Sequence, residues 1–263
     1  MNAHFAPREK PPADQCIGHQ VHYYKTVGST NDEAFRLGLQ GAPGGTAVVA
    51  DAQNAGKGRL ARVWHSPPGA NIYTSVLLRP RFEAARAPQI SIAAGVAAAE
   101  TIEPYCPGRV ALKWPNDVQI GGKKVCGILA QMKLAQADID FVVVGIGMNV
   151  NWRPEQFPEE IRSIATSLFL ETGRDISRED LLNRLYENLT KWYKSLLTCG
   201  FEAVRQAWLS RAPMIGQNVA VRFGDETLSG RAAGLDEDGS LILETPEGAA
   251  RKVSAGDATI LKR

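Results

Sequence analysis

The chain has 263 residues, enough for one or two domains with a real buried core. Hydrophobic residues make up 44%, and 30 Lys and Arg against 28 Asp and Glu leave a formal charge of +2. That balance excludes a disordered chain and any gross electrostatic case for a nucleic acid or a membrane as the main partner. Cys16, Cys106, Cys126 and Cys199 are too widely spaced for a CxxC metal or redox motif, and so few cysteines point to a reducing compartment. No basic-then-apolar leader and no bilayer-length apolar run is present, so the expectation is a cytoplasmic protein.

Residues 1–17 are polar and Pro-punctuated and read as a flexible lead-in. Residues 20–25 form a strand pattern. Thr30 with Glu33 fits a capping box, which starts a helix running to about Leu39. A β-rich run follows at 46–50. Residues 51–71 are rich in glycine, proline and cations and read as one long loop. Residues 72–79 form a strand, and the Ala-rich stretch 89–103 forms a helix. A short strand at 110–113 precedes a hairpin, 118–120 and 123–125, closed by Gly121-Gly122. Strands follow at 127–133 and 140–150.

Residues 178–199 carry the clearest helical period. Leu182, Leu185, Leu189, Trp192 and Leu196 mark a buried face, and Gly200 ends the helix. After Pro213 the texture changes to short strands with turns at 224–225, 238–239 and 247–248. That pattern reads as a small β-barrel appended to an α+β domain.

The 51–71 loop is the first candidate site. Lys57, Arg59 and Arg62 alternate with small residues, and Trp64 offers a stacking face. Glycines let a ligand approach the backbone, and cations suit phosphate; a solvated basic loop is the plainer alternative. Residues 56–61 satisfy GxGxx(G/A), but Pro67-Pro68-Gly69 follow where a dinucleotide fold needs a helix. No P-loop and no Gly-x-Ser-x-Gly elbow occurs. Two further segments belong with the loop. Lys113-Trp114-Pro115-Asn116-Asp117 is either a rigid turn or a functional one. Gly145 and Gly147 end an apolar strand, which suggests close approach of a ligand or a bulge.

Six segments occur in order: Ser29-Thr30-Asn31, the 56–64 loop, 66–73, 113–117, 124–129 and Gly145-Ile146-Gly147-Met148-Asn149. Together they resemble the bacterial biotin protein ligases (biotin–acetyl-CoA-carboxylase ligases) over residues 20–263. The resemblance implies an α+β fold. A mixed β-sheet catalytic domain with flanking helices, of the class II synthetase-like biotin/lipoate ligase type, would span 18–212. An SH3-like β-barrel would span 213–263. It implies activation of biotin with ATP to biotinyl-5′-AMP, then transfer to one lysine of a biotin carboxyl carrier protein. Mg2+ is expected through the ATP phosphates, with no protein metal site.

By the same resemblance, Lys124, Arg59 and Asp117 carry the catalysis. Lys124 bridges the biotin carboxylate and α-phosphate, and Asp117 serves the second half-reaction. Ser29, Thr30, Asn31, Gln53, Lys57, Arg59, Lys124, Gly127, Leu129 and Gly145 bind biotin. Arg59, Arg62, Trp64, Asn116, Lys124 and Asn149 bind ATP or the adenylate, with Asn116 alternatively holding its turn. The chain departs from the family loop at Lys57, where Arg is usual, and at Ala61, where a glycine is usual. Lys loses the bidentate fork, and Ala limits positive φ. Fewer than 30 residues precede the first motif, so a DNA-reading domain, and DNA as a partner, is not expected. A homodimer is left open. The alternatives are a lipoate ligase or octanoyl transferase of related fold, a non-catalytic biotin-binding regulator, and a plain nucleotide-binding module.

Overall fold

The structure is a computed structural model that describes residues 16–136, 138–223, 225–245 and 248–261. Most of the expected lead-in lies outside those residues. Ile17, expected to be part of it, is instead buried in the main core.

The larger unit is built on one mixed sheet. In chain order its elements are β1 (Val21–Val27), α1 (Thr30–Leu39), β2 (Ala47–Gln53), β3 (Ile72–Leu78), α2 (Ala87–Ile102), β4 (Val110–Lys113), β5 (Asp117–Ile120), β6 (Lys123–Ala135) and β7 (Asp138–Met148). The strand order is β1-β2-β3-β7-β6-β5-β4, with β1 and β2 parallel and the other pairs antiparallel. The expected hairpin at Gly121-Gly122 forms, and both glycines have positive φ.

The apolar runs of β3 and β7 are explained by burial on both faces. Leu77, Phe141 and Val143 pack on the α1 side, whereas Val76, Leu78, Val142 and Val144 face the other core. Helix α2 is buried nearly all round, because it lies between the sheet and the helix at 178–199.

Three short helices escaped the sequence reading: α3 (Glu159–Arg162), α4 (Leu168–Thr172) and α6 (Glu202–Leu209). Two are under two turns long, too short for a hydrophobic period to register. The expected long helix is α5 (Arg178–Cys199). Ser177 caps it by accepting from Asp180 N, and Gly200 ends it at φ 79°. Leu182, Leu185, Leu189 and Leu196 are buried, and half-buried Trp192 donates to Glu100.

The C-terminal strands are β8 (Asn218–Phe223), β9 (Glu226–Leu235), β10 (Leu241–Glu244), β11 (Ala250–Val253) and β12 (Asp257–Ile260). They form a five-stranded antiparallel sheet in the order β11-β10-β9-β8-β12. This sheet is consistent with the expected small SH3-like domain, although among the described residues β11 and β12 remain separate edges and no barrel closes. Each edge strand has four residues, few rungs with which to close a cylinder. Among the described residues no helix is long and apolar enough to cross a membrane.

Candidate active site

A cavity of about 530 Å3 joins the N-terminus of α1, the end of β2, the 57–65 loop, the β4–β5 turn, the glycines of β6 and β7, and the C-terminal sheet. Every site residue expected from the sequence lines it: Ser29, Thr30, Asn31, Gln53, Lys57, Arg59, Arg62, Trp64, Asn116, Asp117, Lys124, Gly127, Leu129, Gly145 and Asn149.

Its inner end is a row of buried polar groups. Ser75 Oγ lies 2.6 Å from Asn31 Oδ1 and 2.8 Å from Thr30 Oγ1. Asn31 Nδ2 donates to Leu129 O (3.2 Å) and Gln131 Oε1 (2.9 Å). Thr30 N donates to Gln53 Oε1 at 2.8 Å, and Gln53 Nε2 donates to Ser66 Oγ at 2.8 Å. This row replaces the expected capping box. Ser29 is the N-cap and makes no side-chain cap bond. Glu33 turns away to Arg36 and Tyr24, which hold its carboxyl down to about 2.

Gly127, Gly145 and Gly147 form the floor, and each answers to a neighbouring side chain. A Cβ on Gly145 would sit 1.9 Å from Asn31 Oδ1. A Cβ on Gly147 would sit 2.3 Å from the Trp64 ring, and one on Gly127 2.8 Å from it. β6 and β7 keep regular register at these positions, so the glycines are not a bulge. They make room for Asn31 and Trp64.

The expected long loop is shortened and folded back on itself. β2 runs to Gln53, and Gly58 N→Arg62 O and Trp64 N→Gly56 O bonds make a tight turn of the 56–64 segment. Leu60 (φ 53°) and Ala61 (φ 57°) both adopt left-handed backbone. Ala61 was expected to limit positive φ; the turn imposes it nonetheless, at roughly 1–2 kcal/mol per residue.

The cations divide by partner. Lys57 Nζ pairs with Asp32 at 2.6 Å, with both side chains about half exposed. Arg59 is held by the C-terminal sheet: its Nη1 donates to Gly256 O at 3.0 Å and lies 3.4 Å from Asp257 Oδ1. Burial lowers its pKa while Asp257 and Asp117 raise it, and the guanidinium stays charged. Arg62 pairs with the other oxygen of Asp257.

Lys124 Nζ pairs with Asp117 Oδ1 at 2.6 Å and stands 5.3 Å from the Trp64 ring centroid. Its backbone is tied on both sides, N to Ile164 O and O to Thr166 N. Asn116 Nδ2 donates to Ile128 O at 2.6 Å, which favours its turn-holding alternative. Asn149 Nδ2 donates to Thr166 O, while its Oδ1 is buried without a hydrogen-bond partner among the described residues. Behind the site, burial pushes the Cys126 thiol up to about 12, so it is no nucleophile.

The sequence reading missed Ser75, Ser66, Gln131 and Asp257. Ser75 left a faint signal as a small polar residue inside an apolar strand. Asp257 left none, because it meets Arg59 across 198 residues of chain.

Residues 23–149 match the biotin/lipoate A/B protein ligase family model, and residues 214–260 match the biotin protein ligase C-terminal domain. The chain is 39% identical over 241 residues to the bifunctional ligase/repressor BirA of Bacillus subtilis, covering 92% of this chain and 74% of that one. It is 37% identical to the biotin–acetyl-CoA-carboxylase ligase of Paracoccus denitrificans, covering 84% and 92%. The solved biotin protein ligase of Aquifex aeolicus in complex with biotin and ATP superposes with a TM-score of 0.78 at 32% identity, covering 93% of this chain and all of that one. The chain therefore belongs to the biotin/lipoate protein ligase family, among its biotin protein ligases.

Proposed function

We propose that this chain is an ATP-dependent biotin protein ligase that works in two half-reactions in one cavity. A carboxylate oxygen of biotin attacks the α-phosphorus of ATP, giving biotinyl-5′-AMP and releasing pyrophosphate. The ε-amine of a lysine on a biotin carboxyl carrier protein then attacks the acyl carbon, and AMP leaves. The carrier would be that of acetyl-CoA carboxylase or a related carboxylase, met in the cytoplasm.

The observation that carries this reading is the joining of two chemistries in one pocket. The row Asn31–Ser75–Thr30–Gln53 offers donors and acceptors suited to biotin's cyclic urea. Lipoate and octanoate have no polar ring to meet that row. The other half holds Arg59 and Lys124 around Asp117. Two anions must meet for the first step, so preset cations lower its barrier by offsetting their repulsion. In this scheme Lys124 bridges carboxylate and α-phosphate, and Arg59 and Arg62 contact phosphate. Asn149 Oδ1 accepts from the nucleotide, and Trp64 stacks on adenine. Asp117, released from Lys124 once that lysine binds the adenylate, accepts or orients the proton of the incoming amine.

Lys57, paired with Asp32, has the weakest claim on the carboxylate. Among the described residues no group of three or more His, Cys, Asp or Glu side chains suits a metal ion. In this scheme Mg2+ would enter with the ATP phosphates.

The test is biotin-dependent turnover of α-labelled ATP, followed by a chase with apo carrier domain. Labelled adenylate should form only with biotin, and the carrier should then gain biotin. Lys124→Ala should cut adenylation at least about 100-fold, the usual effect of losing one preset charge-stabilising group. Asp117→Asn should slow transfer more than adenylation. Wild-type rates in both variants would remove these residues from the mechanism, and lack of any biotin-dependent product would remove the function.

A further inference from the structure

Lys124 stands where its sheet runs out of partners. β6 pairs with β7 only as far as Cys126–Met148, and Lys124 lies two residues beyond that pair. On its other side the β5–β6 register shifts, which leaves Val125 as an extra residue next to it. A bulge of this kind re-aims a side chain and breaks the ladder. The open side of Lys124 is filled by a stretch far along the chain, through a parallel bridge to Ala165. Lys124 N donates to Ile164 O (2.8 Å), and Thr166 N donates to Lys124 O (2.9 Å).

The same stretch holds a second site residue. Asn149 Nδ2 donates to Thr166 O at 3.0 Å, which fixes the amide whose Oδ1 has no partner among the described residues. Residues 164–166 thus brace both groups, and side chains outside the cavity brace the stretch. Thr166, 2% exposed, donates its hydroxyl to Glu171 Oε1 on α4 at 2.6 Å. The other Glu171 oxygen pairs with Arg109 Nη2 at 2.5 Å, at the entry to β4. A hydroxyl on a carboxylate makes a short, strong bond, whereas the pair with half-exposed Arg109 adds little. Neither Thr166 nor Glu171 lines the cavity, so they reach the reaction through Lys124 and Asn149.

We infer that Thr166 and Glu171 are positioning residues of the adenylation step, holding the Lys124 ammonium and the Asn149 amide in place through the 164–166 stretch. The inference rests on the ligase reading above. A preset cation lowers the barrier only if it keeps its place as the carboxylate oxygen closes on the α-phosphorus. A displacement of about 1 Å can cost about 100-fold in rate, and losing one of several ties to the stretch costs part of that.

The experiment measures kcat for biotin-dependent adenylate formation, and biotin Kd by calorimetry. It compares the full-length wild type with Thr166→Val, which keeps the shape without the hydroxyl, and Glu171→Leu. Thr166→Ser and Glu171→Gln, which keep a donor and an acceptor, are the rescue variants. Valine and leucine should each cut kcat about tenfold, and the rescue variants should recover most of it. Biotin Kd should stay within about twofold, because the row that meets its ring makes no bond to this stretch. On a Lys124→Ala background Thr166→Val should cost less than about threefold, as expected of residues acting as one unit.

If Thr166→Val does not fold, Glu171→Leu carries the same comparison from a short helix near the surface. Unchanged kcat in a wild-type-like fold overturns this inference alone. Loss of biotin affinity in step with kcat, failure of both rescue variants, or an undiminished loss on the Lys124→Ala background also overturns it, and leaves the pair a structural tie. Absence of biotin-dependent adenylate in the wild type overturns the ligase reading, and this inference with it.

Discussion

Gly145→Ala puts the polar end of the pocket to a direct test. Gly145 lies in β7 between Ser75 of β3 and Leu129 of β6. Its φ lies outside the left-handed range, so alanine imposes no backbone strain. The added methyl would sit 1.9 Å from Asn31 Oδ1 and 2.7 Å from Asn31 Cγ. Asn31, 4% exposed, must retreat by roughly 1 Å or more to restore van der Waals contact.

That retreat breaks the bonds to Ser75, Leu129 and Gln131. At about 1 kcal/mol net per bond, with some repair, the loss is about 2–4 kcal/mol of stability. Ser75 loses its partner too, and Thr30 loses its fixed orientation, so biotin affinity should fall about tenfold or more. Urea unfolding and calorimetric titration with biotin measure the two effects. Gly234→Ala is the control, because nothing lies within 4 Å of the added methyl. If Gly145→Ala binds biotin like the wild type and unfolds at the same urea concentration, the row does not position the ligand.

Two further outcomes are expected. Ala61→Gly should relieve a left-handed alanine at φ 57° and stabilise the loop by about 1 kcal/mol, lowering its limited-proteolysis rate; faster cleavage would refute the strain argument. Glu33 has a folded pKa held near 2 against an ordinary 4.5, by Arg36 first and Tyr24 next, so its stabilisation is complete above pH about 4.5 and is lost as pH falls toward 2. The stability gap between wild type and Glu33→Gln, measured by urea unfolding, should therefore shrink from pH 6 to pH 2. A gap that widens on acidification would reverse the sign.

Much of the fold was legible along the chain because its signals are local. The leucine spacing of α5 and the Gly121-Gly122 turn follow from periodicity and from a dihedral that few residues tolerate. The site motifs were legible as segments for the same reason: Ser29-Thr30-Asn31 and Lys113–Asp117 are contiguous. Neighbouring residues also misled. Thr30 and Glu33 have the spacing of a capping box, yet the buried row takes the Thr30 hydroxyl and Arg36 takes the carboxylate. Ala61 looked unfit for a left-handed turn that the surrounding hydrogen bonds enforce.

The sequence by itself determined most of the elements, the glycine positions and the chemical character of the loop, since backbone propensity and hydrophobic period act within a few residues. Only the tertiary structure decided which groups meet. Strand crossovers bring Ser75 and Gln131 to Asn31, and the C-terminal sheet carries Asp257 to Arg59. Electrostatic and hydrogen-bond energies fall off with distance in space, and chain order does not encode that distance.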